Sequence, residues 1–120
     1  MSHAEEEELA PGYNACMDKA VSTADMVTCM NAGIEHWDKV LAKNYARAEK
    51  DCLDPDKARC DKYRSLLRAS MKSWKAYRSD TASYLRQASG GTMDQLNAAM
   101  FYLQVTKQYA QSIAVTDEEE

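Results

Sequence analysis

All the proline and glycine of this chain stands at six positions: Pro11, Gly12, Gly33, Pro55, Gly90 and Gly91. The long stretches between them are rich in Ala, Met, Leu, Lys, Arg, Glu and Gln, the residues that lose least on entering a helix. A chain punctuated this sparsely folds as helices, and 120 residues fit one domain. Pro11 suits a first helical turn, so a short helix is expected from about Pro11 to Ala20, with Tyr13, Cys16 and Met17 on one face. Ser22 or Thr23 then caps a long helix, with Asp25 near its positive end. Met26, Met30, Ile34, Trp37, Leu41, Tyr45 and Ala48 give this helix one apolar stripe, reaching about Cys52. Gly33 interrupts the stripe as a point of close helix packing.

Asp54 as cap and Pro55 as first helical residue start the next helix, which is expected to run to about Ser89. Its inward stripe reads Tyr63, Leu66 or Leu67, Ser70, Trp74, Tyr77, Thr81, Tyr84 or Leu85, and Ala88. Gly90-Gly91 stops it, because glycine takes the left-handed conformation a helix stop requires. Thr92 opens a capping box with Gln95, and Leu96, Ala99, Met100, Leu103, Thr106, Ala110 and Ile113 line the last helix. Short connections set successive helices antiparallel. The expected architecture is all-α, an elongated antiparallel three-helix bundle with a short extra N-terminal helix. Residues 10–116 form its single helical domain, between a disordered acidic lead-in (1–9) and an acidic tail (117–120).

Four cysteines fall in two close pairs, Cys16 with Cys29 and Cys52 with Cys60. Local pairing is the simplest of three connectivities, since each pair flanks a turn between helices. Each bridge would close a loop of roughly 9 to 14 residues and contribute about 2–4 kcal/mol. Disulfides place the chain in an oxidising compartment, periplasmic or secreted; a cytosolic chain with four reduced thiols is the alternative. The chain opens on a polar acidic stretch without the order of a signal peptide, so a leader is expected to have been removed. No apolar run approaches the ~20 residues of a membrane span. Zinc cysteines come closer together, as C-x₂₋₄-C, and only His36 lies within a helix, so no metal or cofactor is expected.

The formal charge of −4 hides a division. Glu5 to Glu8 and Asp117 to Glu120 hold eight of the nineteen acids, leaving eleven against fifteen Lys and Arg in the body. The long helix after Pro55 is the basic one, with Arg59, Lys62, Arg64, Arg68, Lys72, Lys75, Arg78 and Arg86. Its aromatics fall on the expected inward stripe and so read as core, which argues against a nucleic-acid surface. Arg64, Arg68 and Lys72 remain candidates for an anionic partner. Asp38, Asp61, Asp80 and Asp94 sit where a solvated face or a cap explains them. Glu35 and Asp38 lack the E-x-x-H of a carboxylate metal bundle, and there is no phosphate loop. No catalytic constellation is present, so an enzyme is not expected.

From Tyr13 to Ile113 the order of residues resembles the LprI-type lysozyme-inhibitor family of small helical envelope proteins. The likeness runs from Cys16-Met17-Asp18-Lys19-Ala20 through Thr23, Met26 and Cys29. It continues in Asp38, Leu41 and Tyr45, a D-x-x-L-x-x-x-Y pattern, and in Trp74, Tyr77 and Arg78, a W-x-x-Y-R pattern. Gly90, Gly91, Thr92 and Thr106 complete it. The family often carries cysteines at the positions of Ala82 and Phe101, and an Arg at that of Tyr109, so the Cys52–Cys60 pair looks peculiar to this chain.

The resemblance implies an envelope protein that inhibits a lysozyme by steric occlusion. The alternative is a periplasmic interaction module that meets an anionic envelope component through its basic helix. Exposed turns are the candidate contacts with a lysozyme: the 53–57 turn with Asp54, Asp56 and Lys57, and the 90–92 turn. Arg78, a motif residue, is expected to pair internally with an acid such as Asp38.

Overall fold

A computed structural model describes residues 8–52 and 54–114; the acidic lead-in to residue 7 and the acidic tail lie outside them. Four helices follow in order: α1 (Tyr13–Lys19), α2 (Thr23–Lys50), α3 (Lys57–Arg86) and α4 (Met93–Ser112). The described residues contain no strand, so the fold is all-α.

Caps set the boundaries. Ser22 accepts the Asp25 amide at the start of α2, and Asp25 in return accepts the amide of Val21. Two starts differ from those expected. Pro11 stands in a turn, and Gly12, at φ 81°, precedes α1. Asp56, not Asp54, caps α3 by accepting the Ala58 amide, while Asp54 accepts the Asp56 amide one step earlier. α3 ends at Arg86, and Gly90 takes the left-handed backbone that turns the chain.

α4 is the hub. It packs along α2 on one side and along α3 on the other, while α1 lies against α2. Facing pairs give the directions. Gly33 meets Leu103 and Asn44 meets Ala110, so α2 and α4 run parallel. Trp74 meets Tyr109 and Tyr77 meets Phe101, so α3 runs opposite to both. α2 and α3 do not pack backbone against backbone; long side chains span the space between them. A compact three-helix bundle closes all three of its interfaces. Here the three helices form a flattened layer, within extents of 55 × 38 × 18 Å.

The apolar core sits where α1, α2 and α4 meet. Ala10, Tyr13, Cys29, Met30 and Leu103 are buried there, with Ile34, Trp37, Leu96 and Met100 packed around them. A Cβ on Gly33 would stand 3.0 Å from Leu103, so glycine is what allows this approach. Disulfide Cys16–Cys29 ties α1 to α2 beside the core, and Cys52–Cys60 ties the end of α2 to the start of α3. Glu8 and Leu9 pack instead of trailing as lead-in. Leu9 accepts a hydrogen bond from the Trp37 indole, and the Glu8 carboxylate accepts the Asn14 amide at 2.8 Å.

The stripe expected on α3 holds at Trp74 and Thr81, and at Leu67 and Leu85 of its paired alternatives, but not at Tyr63, Ser70, Tyr77 or Ala88. The covered residues of α3 are Cys60, Arg64, Leu67, Met71, Trp74, Arg78, Thr81, Ala82 and Leu85, whereas Tyr63, Leu66, Tyr77 and Tyr84 are exposed. Both patterns have helical period. The difference follows from two arginines that turn inward because acids, carbonyls and rings await them there.

Candidate functional site

Arg78 enters the space between α2 and α3 from the middle of α3. Its Nη1 donates to Asp38 Oδ1 on α2 and to Thr106 Oγ1 on α4, both at 2.9 Å. The guanidinium lies over two rings, 4.4 Å from the Trp74 centroid and 4.2 Å from that of Tyr102. One planar cation thus joins all three long helices, a task that its rigid donor fork and flat faces suit. Thr106, fully buried, donates its own hydroxyl to the Tyr102 carbonyl, which fixes the oxygen that Arg78 meets. Trp74 stacks on Tyr109 at 4.5 Å and 11° between planes, and the Tyr109 hydroxyl bonds Ser70 at 2.6 Å.

Nearer the α2–α3 connection a second strap spans the same space. Arg64 donates to the Glu49 carbonyl at 2.6 Å, and Arg68 pairs with the Glu49 carboxylate. Hydrogen bonding to Glu49 raises the Arg68 pKa above its ordinary value. Between the two straps lies an open groove of about 550 Å³, lined by Asp38, Leu41, Ala42 and Tyr45 of α2 and by Met71, Lys75 and Arg78 of α3. Arg78 closes one end, and the exposed Lys75 lines the groove without an acidic partner among the described residues.

Asp38, Leu41, Tyr45 and Arg78 thus line one groove, and Trp74 and Thr106 join them behind it through their contacts with Arg78. Tyr77 stands on the other side of α3, its ring edge-on to Phe101 at 5.7 Å. Gly90 and Gly91 lie apart, in the α3–α4 turn. That turn is held by Asp94, which the sequence reading left as an ordinary cap or solvated acid. Its carboxylate accepts the Ser89 hydroxyl at 2.8 Å and the Ser89 and Gly90 amides at 2.9 and 2.8 Å. The Ser89 hydroxyl bond, then the backbone amides, hold the Asp94 carboxyl below the usual carboxylate range against the opposing effect of burial. Thr92 makes no side-chain cap, so the expected capping box is replaced by this carboxylate.

The candidate contact residues divide. Asp54 pairs with Arg59, Asp56 caps α3, and Lys57 pairs with Asp61, so these charges serve their own turn and first helical turn. Arg64 and Arg68 are engaged with Glu49, whereas Lys72 is exposed. Among the described residues, Arg59, Arg64, Arg68 and Arg78 of the basic helix meet acids, while Lys62, Lys72, Lys75 and Arg86 are exposed.

The sequence reading gave no role to Tyr102, Glu49 and Met71, took Tyr109 only as a departure from the family pattern, and took Asp94 only as a cap or solvated acid. Tyr102 and Tyr109 lie four residues before and three after Thr106, on its helix face, and that spacing was the available signal. Asp94 stands in the first turn of a helix, where a carboxylate meets free amides.

Among the described residues no three of His, Cys, Asp and Glu gather to hold a metal ion. None of the described helices is long and apolar enough to cross a membrane. The Asp38–Arg78 pair, with Thr106, holds the three long helices together.

No curated protein and no solved structure matches the chain. The family model described as Lysozyme inhibitor LprI matches residues 16–112, a span holding the Asp38–Arg78–Thr106 clamp, both disulfides and the braced turn. The chain belongs to the LprI lysozyme inhibitor family.

Proposed function

We propose that this protein works outside the cytoplasm as a lysozyme inhibitor, by occluding the enzyme's cleft and without chemistry of its own. Family membership over residues 16–112 is the observation that carries this reading. Two disulfides are in keeping with an oxidising compartment, periplasmic or extracellular.

The geometry favours the α3–α4 turn as the inserting element. A plug must be narrow, pre-formed and free of charges that a cationic enzyme would repel. Gly90 and Gly91 carry no side chain, Met93 is exposed, and residues 88–93 carry no charge. Asp94 braces the turn before any partner arrives, which spares the ordering cost of a loose loop. The 53–57 turn is a poorer candidate, since its charges are engaged locally.

The test is titration of the oxidised protein against several lysozyme types, with cell-wall lysis followed at physiological salt. Saturable inhibition of one type near stoichiometry is expected. Gly91→Glu would abolish it with thermal stability intact, because the backbone there is not left-handed and a Cβ meets only Ser89 Oγ at 3.5 Å. Absence of inhibition against every type would overturn the reading.

A further inference from the structure

We infer that the exposed tyrosine face of α3, with the seam it shares with α4, binds an extended, uncharged glycan strand of the cell wall. The inference uses the extracytoplasmic placement argued above but not lysozyme inhibition.

Residues 63, 66, 70, 73, 77 and 84 follow spacings of three, four and seven and so share one face of α3. Five of them, all but Ser73, belong to the stripe expected to be core or to its paired alternatives, yet Tyr63 is 45%, Leu66 61%, Tyr77 54% and Tyr84 69% exposed. None of the six positions is charged, in a chain that is 28% charged; Lys62 and Asp80 stand at its border. The neighbouring helix is as neutral. α4 carries only two charged residues, and both turn elsewhere: Asp94 into the turn, Lys107 to the Glu8 carbonyl and over the Trp37 ring. Two hollows of about 200 and 340 Å³ run along the α3–α4 seam and share Ser112 as a wall. Trp74, Tyr77, Val105 and Gln108 line the first, Tyr63, Leu66 and Ile113 the second.

The spacing points to a polymer. Tyr77 and Tyr84 are seven residues apart, ~10 Å along the helix, and Tyr63 to Tyr84 spans ~30 Å. The step missing at Ser70 is supplied from α4, since Tyr109 bonds Ser70 and stacks on Trp74. An aromatic group thus recurs at about the length of one disaccharide in an extended β-1,4-linked strand. Sugar rings lay their C–H faces on aromatic rings and exchange hydrogen bonds with amides and hydroxyls such as Gln108 and Ser112. A single sugar would use one step of this ladder, and an anionic polymer would find only Arg59 at one end, already paired with Asp54 and Asp56, and Lys62 at the border. A neutral glycan matches both its length and its lack of charge.

The test is calorimetric titration of the oxidised full chain with the β-1,4-linked hexamer of N-acetylglucosamine, paired with co-sedimentation on purified wall sacculi. Saturable binding of the hexamer, weaker binding of the dimer and retention on sacculi are expected. Tyr77→Ala and Tyr84→Ala should each weaken hexamer binding roughly three- to tenfold, the scale of one lost aromatic contact. Tyr84→Phe, which keeps the ring, should bind nearly as the parent does. Gly91→Glu should bind the glycan normally, which separates this surface from the inhibitory turn. The inference is overturned if the parent binds neither hexamer nor sacculi, if the alanine variants bind unchanged, or if the face proves closed by a second copy in sedimentation. It is equally overturned if Tyr77→Ala and Tyr84→Ala lose lysozyme inhibition while glycan binding is absent, which would make this face a protein interface.

Discussion

The two sides of α4 are held by different physics. Towards α2 the contact is mainly apolar: Leu103 has no exposed surface, Met30 and Cys29 are buried, and Gly33 lets the two backbones approach. One hydrogen bond joins it, from Asn44 to the Ala110 carbonyl. Towards α3 the contact is aromatic and ionic, a guanidinium between two rings with Asp38 and Thr106 as its acceptors. Small side chains and a close approach make the first contact rigid. Large side chains at longer reach make the second, and leave a groove on one face of the layer and exposed tyrosines on the other. Function in this family member is accordingly sought on α3 and its turn, while α1 and α2 supply the platform.

If the apolar side is the main source of stability, Leu103→Ala should be the most damaging single change. It removes a fully buried side chain from a tightly packed site, and the cost should be about 2–5 kcal/mol in denaturant melts. An effect below that of the α3 variants would break the comparison. Next comes the staple on the same side. Replacing Cys16 and Cys29 by alanine should cost about 2–4 kcal/mol, and replacing Cys52 and Cys60 less, since that loop spans 8 residues of separation against 13. Melting the two variants side by side would check the order.

The ionic side should yield less. Arg78→Met removes two hydrogen bonds and two ring contacts but leaves Asp38 partly in water, its side chain 45% exposed. A loss of about 1.5–3 kcal/mol is expected, the range for hydrogen bonds to a charged group. A double-mutant cycle with Asp38→Asn would sharpen the point, because most of the loss should persist when Asp38 is already neutral. If the cycle assigned nearly all of it to the ion pair, the rings and Thr106 would have been given too much weight.

Legibility followed the same division. The apolar side could be read from the chain: the α2 stripe, Gly33 as a close approach and the local cysteine pairs depend on nearest-neighbour spacing, which sequence displays directly. The α3 stripe is legible at Leu67, Trp74, Thr81 and Leu85 but not at Arg64, Arg78 and the tyrosines, because hydropathy sends arginine outward and tyrosine inward. Only the partners reverse that assignment, and Asp38, Glu49, Tyr102 and Thr106 come from two other helices. Pairing Arg78 with Asp38 was within reach because motif and charge both suggested it. The sandwich with Trp74 and Tyr102 was not, since it requires the register of α4 against α3. The same error hid the tyrosine face, whose tyrosines had been assigned to the core.

The smallest effect should come from Asp94→Asn, which touches the turn rather than either interface. The native carboxyl sits below the usual carboxylate range because Ser89 and Gly90 donate to its ionised form. The sign follows from that direction. The stabilisation is fully present above the unfolded aspartate value, about 3.9, and is lost as pH falls through the lower folded value. At neutral pH the variant should therefore melt slightly below the parent, and the gap should close at acid pH, where the parent's Asp94 is itself protonated. Amide exchange at Ser89 and Gly90 should be faster in the variant, with the amides of the α2–α4 core unchanged. A gap that stayed constant from neutral to acid pH would mean that the charge of Asp94 is irrelevant. The turn would then owe its shape to Gly90 and Gly91 alone, and the case for a pre-formed inhibitory tip would rest on backbone conformation without its brace.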